Sequence, residues 1–243
     1  MSGSSTSKQS VRDRIWDHLE DAGLARFPFP PHGRIPNFDG ASDAADRLTE
    51  LPEWRDADAI KANPDSPQLP ARRAALHAGK TLYMAVPRLR DEDCFVELDP
   101  DRLDDLDAAP TVSHMDDYGR RVGPGSLSTI DCILSGSVAV STDGVRIGKG
   151  EGFSDLEYAV LHELGTVDDE TPVVTTIHDD QVLAPEDAPP ADPHDVLVDV
   201  IVTPTRTIRT GATGNPDGID WGALDADQLA EMPVLQRLQA DEN

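Results

Sequence analysis

The sequence predicts an α/β fold, a three-layer Rossmann-like sandwich with a mostly parallel sheet. Apolar runs typical of buried strands recur along the chain. They lie at 81–86, 94–98, 133–140, 173–177 and 194–203. Segments with helical spacing of apolar residues separate most of these runs, and such alternation favours βαβ units. Ligands of these folds bind at the carboxyl ends of the strands, so functional residues are expected there.

The N-terminal part predicts a flexible end followed by a helix. Residues 1–9 are rich in serine and lack the apolar core of a signal peptide. Residues 10–22 place Val11, Ile15 and Leu19 on one face of an amphipathic helix, which Gly23 ends. Lys8 and Arg12 are four residues apart and share a face if the helix begins early. A solvated basic edge is the simplest interpretation of that pair.

The next segments are predicted as helices and loops around two strands. Two helices are expected at 41–51 and 52–63, followed by a proline-stiffened loop at 63–70. A short helix at 72–78 leads into the strand at 81–86. Residues 99–106 predict another short helix, and residues 112–124 an irregular polar segment.

The central stretch, residues 132–163, has the pattern strand, glycine loop, helix. Glycine occupies every second position of Gly148-Lys149-Gly150-Glu151-Gly152, and the helical pattern begins at Phe153. Such a loop can present backbone N–H groups to an anion. The start of the following helix adds unpaired N–H groups and the positive end of the helix dipole. Arg146 and Lys149 bring cations to the same place, and Asp155 could cap the helix or face a metal. The sequence therefore favours a nucleotide phosphate site, although a tight strand-to-helix turn would need the same glycines.

The C-terminal third completes the sheet and extends beyond it. The segment 194–203 predicts the final buried strand, in which His194 and Asp195 form either an entry turn or part of a site. Residues 211–218 are typical of a flexible linker, and 224–238 of short helices. We therefore expect a main domain at 10–210 and a C-terminal extension at 211–243.

The charge predicts a heavily hydrated acidic surface. The 243 residues carry 46 Asp and Glu against 21 Lys and Arg, a net charge of −25. This composition is typical of a salt-adapted protein from a halophilic archaeon, and it would repel nucleic acids and anionic membranes. Any anion site must therefore concentrate its cations locally. The two cysteines form no metal or redox pair, and we expect a soluble, cytoplasmic monomer.

Two motifs resemble the 5-formyltetrahydrofolate cyclo-ligase family (methenyltetrahydrofolate synthetase). The first is Arg146-Ile-Gly-Lys-Gly-Glu-Gly-Phe-Ser-Asp155, similar to the family's R-L-G-x-G-x-G-Y-Y-D loop, and the second is His194-Asp-Val-Leu-Val-Asp-Val-Ile-Val-Thr203. The string Arg34-Ile-Pro-Asn-Phe38 resembles the divergent, domain-containing branch of this family, which has been linked to thiamine metabolism. The resemblance implies a NagB/RpiA/CoA transferase-like fold.

The resemblance also implies cofactors and site residues. It implies an enzyme that uses ATP and Mg²⁺ to convert 5-formyltetrahydrofolate to 5,10-methenyltetrahydrofolate, with Arg146 and Lys149 as catalytic cations. The metal ligands would be Asp155 and Asp195. The ATP-binding residues would be Lys8, Arg12, Arg146, Gly148, Lys149, Gly150, Glu151, Gly152, Phe153 and Ser154.

Several family features on the folate side are absent. Phe153-Ser154 replaces two tyrosines, Glu151 adds a negative charge to the loop, and the family's Glu-x-x-Thr and Glu-Pro features are missing. The first alternative is therefore an ATP-binding paralogue acting on another small molecule, such as a thiamine-related heterocycle. The second alternative is a non-catalytic binding or regulatory protein that keeps the fold.

Overall fold

A computed structural model describes residues 7–86, 89–224 and 226–241, with only the backbone at 226–228 and 241. Its helices are α1 (Lys8–Asp21), α2 (Ala41–Thr49), α3 (Pro52–Arg55), α4 (Leu69–His77), α5 (Met115–Tyr118), α6 (Phe153–Glu163), α7 (Ala226–Glu231) and α8 (Pro233–Asp241). Its strands are β1 (Ala25–Arg26), β2 (Asn37–Phe38), β3 (Ala59–Ala62), β4 (Thr81–Ala85), β5 (Phe95–Leu98), β6 (Arg120–Val122), β7 (Cys132–Leu134), β8 (Ala139–Ser141), β9 (Arg146–Ile147), β10 (Val173–Thr176), β11 (Val182–Leu183), β12 (Val200–Val202) and β13 (Thr207–Arg209).

The main sheet confirms the predicted fold class. It has eight strands in the order β13-β12-β10-β7-β3-β4-β5-β6, and helices cover both faces. The inner strands from β12 to β4 pair in parallel, whereas the pairs β12–β13, β4–β5 and β5–β6 are antiparallel. The parallel core is buried on both faces, as such sheets require.

A second layer positions the N-terminal helix. Strands β11, β8 and β9 form a small three-stranded sheet. Val11, Ile15 and Leu19 of α1 pack with Ala139 and Ile147 of this sheet in a separate apolar cluster. The buried face of α1 is therefore the predicted one. Lys8 and Arg12 lie at the border of this face, next to the glycine loop.

The segment predicted as a flexible end contains the start of α1. Its first six residues lie outside the part of the chain that the structure describes, but Lys8 and Gln9 belong to α1. Ser7 and Ser10 form a capping box, in which each side chain accepts the backbone N–H of the other at 3.1 Å. This cap starts the helix two residues before the predicted position.

Four element predictions were wrong. The run at 133–140, expected as one strand, is divided between β7 and β8, which belong to different sheets. The helix expected at 52–63 ends at Arg55, and the rest of that segment forms β3, the buried centre of the sheet. The irregular segment at 112–124 contains α5 and β6. The strand expected at 194–203 is limited to β12, because the residues before it leave the ladder and bond to a turn, where Val198 N–H donates to the Gly144 carbonyl at 2.9 Å.

The predicted C-terminal extension packs against the main domain. Its helices bury Val234, Leu235 and Leu238 in the same apolar cluster as the sheet, and Ile219 of the preceding segment joins them. The C-terminal segment is therefore attached more firmly to the main domain than the predicted flexible linker and extension imply. Among the described residues, no helix combines the length and apolarity that crossing a bilayer requires.

Candidate functional site

Every residue predicted for the site lines a single cavity of about 520 Å³. The cavity lies where β3, β4 and β7 end, since Asn63, Ala85 and Gly136 contribute to its wall. This is the carboxyl edge of the parallel sheet, where ligands of such folds bind. The sequence-distant helix α1 and the glycine loop close over this edge.

Cations from distant parts of the chain meet in this cavity. They are Lys8, Arg12, Arg146 and Lys149. Arg12 Nε donates to the Gly148 carbonyl at 2.7 Å, which fixes α1 against the loop. Lys149 pairs with Glu151 at 2.8 Å, so the acid within the loop is compensated by its neighbour.

The glycine loop leaves backbone donors at the start of α6. The first helical donation is from Leu156 N–H to the Gly152 carbonyl, at 3.1 Å. The N–H groups of Phe153, Ser154 and Asp155 therefore have no backbone acceptor within the described residues, as at any helix start. Gly150 has φ +107° and lies against Arg12, whose Cζ would be 3.2 Å from an added Cβ. Both the backbone angle and the contact require glycine at this position.

Arg146 is held by two protein acceptors. Its Nη1 donates to the Gly136 carbonyl at 3.0 Å, and its Nη2 donates to Asp155 Oδ1 at 2.6 Å. Burial alone would lower the pKa of Arg146, but the Asp155 carboxylate raises it above its usual value. The guanidinium therefore stays charged and fixes Asp155 at the cavity wall. Val196 N–H also donates to the same oxygen, at 3.0 Å.

The second predicted metal ligand is engaged by Lys8. Lys8 Nζ donates to Asp195 Oδ2 at 2.5 Å and to Asp192 at 2.8 Å. Burial lowers the pKa of Lys8, but these hydrogen bonds raise it overall. Asp192, His194 and Asp195 form a group whose ligand atoms lie within 4.8 Å of one another.

The donor set fits a magnesium ion. Asp155 and Asp195 each use one carboxylate oxygen in these hydrogen bonds, and the other oxygen has no hydrogen bond within the described part of the chain. Both residues line the same cavity. Carboxylate oxygen is the ligand that Mg²⁺ prefers, usually one or two protein carboxylates beside phosphates and water. The assignment of both aspartates to the metal stays a prediction.

The floor of the cavity contains polar residues that the sequence analysis missed. Lys61 of β3 forms a buried ion pair with Glu157 of α6, and both side chains are under 7% exposed. Asn63 Nδ2 also donates to Glu157, at 3.3 Å, while Asn63 Oδ1 accepts from Ser154 Oγ at 3.2 Å. Ser154 therefore belongs to the floor as well as to the loop. The overlooked signal was Asn63-Pro64-Asp65, a turn that ends a strand rather than a helix.

Asp65 is a second acidic residue of this floor. Its backbone carbonyl accepts from Arg72 Nη1 at 2.8 Å, but its carboxylate has no hydrogen bond from the described residues. Burial raises its pKa, and the nearby Glu157 adds to this effect, while Lys149 and Arg72 oppose it. Gly136 lies so close that an added Cβ would be 2.6 Å from Asp65 Oδ2. A desolvated carboxylate thus lines the cavity, with Lys149 and Arg72 as neighbouring cations.

Comparison with known proteins identifies the family of the chain. A family model described as the 5-formyltetrahydrofolate cyclo-ligase family matches residues 4–204. The chain belongs to the 5-formyltetrahydrofolate cyclo-ligase family. The family and the branch predicted from the loop and from Arg34–Phe38 are therefore confirmed.

Two curated proteins and one solved structure show how far the similarity reaches. The chain is 45% identical to the Methenyltetrahydrofolate synthase domain-containing protein of Bos taurus over 242 residues, 97% of this chain and 63% of that protein. It is 35% identical to a 5-formyltetrahydrofolate cyclo-ligase of Mycolicibacterium smegmatis over 83 residues, 34% of this chain and 38% of that protein. The NMR structure of Aquifex aeolicus 5,10-methenyltetrahydrofolate synthetase has a TM-score of 0.51 and 20% identity, covering 84% of this chain and 93% of that chain. That likeness shows the fold alone.

The family match and the similarity to the domain-containing relative cover different ranges of this chain. The family match ends at residue 204, whereas the similarity to the Bos taurus protein covers 97% of the chain and so extends into the C-terminal helices. The chain spans about 63% of the length of that relative. The C-terminal segment that packs on the core is therefore shared with the domain-containing relative and lies beyond the range of the family match.

Proposed function

We propose that the chain binds Mg²⁺-ATP and converts 5-formyltetrahydrofolate to 5,10-methenyltetrahydrofolate. The observation that carries the proposal is the single cavity that gathers four cations, the glycine loop and two carboxylates. A net charge of −25 would repel a nucleotide, so this local concentration of cations requires an explanation. Phosphate binding provides it.

In this reaction the formyl oxygen on N5 attacks the γ-phosphorus of ATP, and ADP departs. The phosphorylated oxygen becomes a leaving group, N10 forms a bond to the formyl carbon, and inorganic phosphate is released. Phosphoryl transfer of this kind depends on positioning and charge neutralisation rather than on a protein nucleophile. A bound Mg²⁺ would neutralise phosphate charge beside Asp155 and Asp195.

In this proposal one end of the cavity binds the phosphates and the other binds the acceptor. Lys8, Arg12 and Lys149 would neutralise the phosphates, and the N–H groups at the start of α6 would orient them. Arg146 would act mainly by holding Asp155. The floor formed by Asn63, Asp65 and Glu157 would face the acceptor.

One observation favours a different acceptor as the second candidate function. Ser154, where the family has a tyrosine, bonds to Asn63 and to Ser135 Oγ at 3.2 Å. The acceptor end therefore has a charged, hydrogen-bonded floor in place of an aromatic ring. A paralogue that phosphorylates another heterocycle, such as a thiamine-related compound, would use the same ATP end with this altered floor.

The first experiment separates these functions. Turnover of 5-formyltetrahydrofolate with ATP and Mg²⁺ is followed by methenyl-folate absorbance, and ATP binding is measured by calorimetry on the same sample. Turnover that is lost in Asp155→Ala supports the cyclo-ligase. ATP binding without turnover supports the paralogue, and absence of both contradicts nucleotide chemistry at this cavity.

Lys149→Ala tests the loop directly. The variant removes one of the four cations of the cavity and its ion pair with Glu151, so ATP affinity should fall by about tenfold or more. Arg14→Ala is the matched control, because Arg14 is an exposed cation on α1 outside the cavity. Equal ATP affinity in the two variants would remove Lys149 from the site.

A further inference from the structure

A smaller chamber of about 130 Å³ lies beside the main cavity. One wall is the first part of α6, with Phe153 and Leu156, and the other is the C-terminal segment, with Ile219, Ala223 and Leu224. Whole ligands of drug size occupy pockets of about 300–1,000 Å³. A chamber of this size receives one part of a larger molecule.

The C-terminal wall is held in place by the rest of the fold. Leu197 N–H donates to Asn215 Oδ1 at 2.7 Å, and Ile219 belongs to the main apolar cluster. Gly218 lies against α6, where an added Cβ would be 2.4 Å from Glu163 Oε2. The wall therefore does not depend on a ligand for its position.

The chamber borders the phosphate end of the main cavity. Both spaces are lined by Gly152, Phe153, Asp155 and His194. The acceptor floor, with Asn63, Asp65 and Glu157, lines only the main cavity. If the terminal phosphate faces the acceptor, the rest of the nucleotide extends away from the floor, toward the chamber.

We propose that this chamber binds the nucleobase of the nucleotide, with the C-terminal segment as one wall of the base site. The inference rests on the proposed function, which places the phosphates on the glycine loop. Apolar side chains on both walls suit a flat aromatic ring. Asp220 lies at the rim, where its Oδ1 accepts from Gly222 N–H at 3.1 Å. A carboxylate only accepts hydrogen bonds, so it favours a base with N–H donors, such as an exocyclic amine.

The family match, which ends at residue 204, does not reach this wall. The similarity to the Bos taurus relative covers 97% of the chain. The C-terminal segment thus supplies a specificity element that the matched cyclo-ligase region does not contain.

The test compares ATP with inorganic tripolyphosphate, each with Mg²⁺ at one salt concentration, by calorimetry. Tripolyphosphate has the phosphates without the base, so the ratio of the two affinities isolates the contribution of the base. We expect ATP to bind at least about tenfold more tightly than tripolyphosphate to the unchanged chain. Ala223→Trp, which fills the chamber, should bring the ratio close to one. Thr213→Trp, which places the same ring on an exposed part of the segment, should leave it unchanged.

A second pair of variants keeps the proposal testable if Ala223→Trp does not fold. Asp220→Asn should lower the affinity ratio, whereas Asp217→Asn, an exposed acid outside the chamber, should not. An unchanged ratio in folded Ala223→Trp and in Asp220→Asn would overturn the inference. So would equal affinity for ATP and tripolyphosphate, although the phosphate site would then stand. A chain that binds neither ligand would contradict the proposed function itself.

Discussion

At the scale of single residues, the cavity pairs most of its cations with acids. Lys8, Arg146 and Lys149 form ion pairs with Asp195, Asp155 and Glu151. The Asp65 carboxylate is desolvated, and Lys149 and Arg72 are its neighbouring cations. Lys61 and Glu157 stabilise the floor of the cavity as a buried pair, and removal of either partner would leave an isolated buried charge. A ligand that carries both anionic groups and N–H donors complements this arrangement.

Asp65→Asn should stabilise the fold at neutral pH. Burial raises the folded-state pKa of Asp65 above the value of 3.8 expected for the unfolded chain. Between these two pKa values the folded state binds more protons, so stability falls as pH rises through this window. The penalty is complete at neutral pH, and the substitution removes it. Below 3.8 the carboxyl is protonated in both states, and the difference disappears.

Thermal unfolding followed between pH 3 and pH 7 checks this expectation. Asp46→Asn, at an exposed position on α2, is the matched control for loss of one negative charge. A gain in Tm that is the same at every pH, or the same in both variants, would contradict a cost of burying Asp65. Turnover should fall in Asp65→Asn even as Tm rises. The buried carboxylate that destabilises the fold is the group that would face the acceptor, so removing its charge should improve stability at the expense of activity.

At the scale of elements, the glycine loop combines strain with a close contact. Gly150→Ala would place a side chain at φ +107° and push against the Arg12 guanidinium. Gly79→Ala is the matched control, because Gly79 has φ +78° but no heavy atom within 4 Å of an added Cβ. Both variants should lose about 1–2 kcal/mol of stability. ATP affinity should fall by about tenfold in Gly150→Ala alone.

Calorimetry and thermal unfolding on the two variants separate these effects. If both variants bind ATP as the unchanged chain does, the approach of Arg12 to the loop has no part in nucleotide binding. If both lose binding equally, the loss reflects general destabilisation.

The elements also show which parts of the site could be predicted. The loop, α6 and the cations were identified because glycine spacing and charge are local signals, and α6 has the predicted bounds. β3 was mistaken for a helix because Ala59-Ile60-Lys61-Ala62 has a lysine where a buried strand should be apolar. The partner that makes this lysine tolerable, Glu157, lies far along the chain. No local pattern links the two, so the floor was missed.

At the scale of the whole molecule, the C-terminal helices are part of the core. Leu235→Ala should cost about 2–5 kcal/mol, because Leu235 is fully buried in the main apolar cluster. For a chain of this size each kcal/mol lowers Tm by roughly 2–4 °C. Arg237→Ala, exposed on the same helix, should change Tm little. An unchanged Tm in Leu235→Ala would show that this segment folds apart from the sheet.

The net charge of −25 predicts that salt stabilises the whole molecule. Its 46 acids repel one another, and this repulsion opposes the compact state. Raising KCl from about 0.1 M to about 1 M shortens the screening length from about 10 Å to about 3 Å. Tm should therefore rise across this range.

NaCl at equal ionic strength is the control, because screening depends on ionic strength rather than on the cation. A Tm that is constant or falls with KCl would contradict repulsion as a limit on stability, and a rise with KCl alone would indicate specific K⁺ binding. The salt dependence of ATP affinity tests the effect of the surface acids at the cavity itself. Salt weakens the attraction of the cavity's cations but also screens the surrounding acids, so ATP affinity should fall less steeply with salt than it would at a site on a neutral surface.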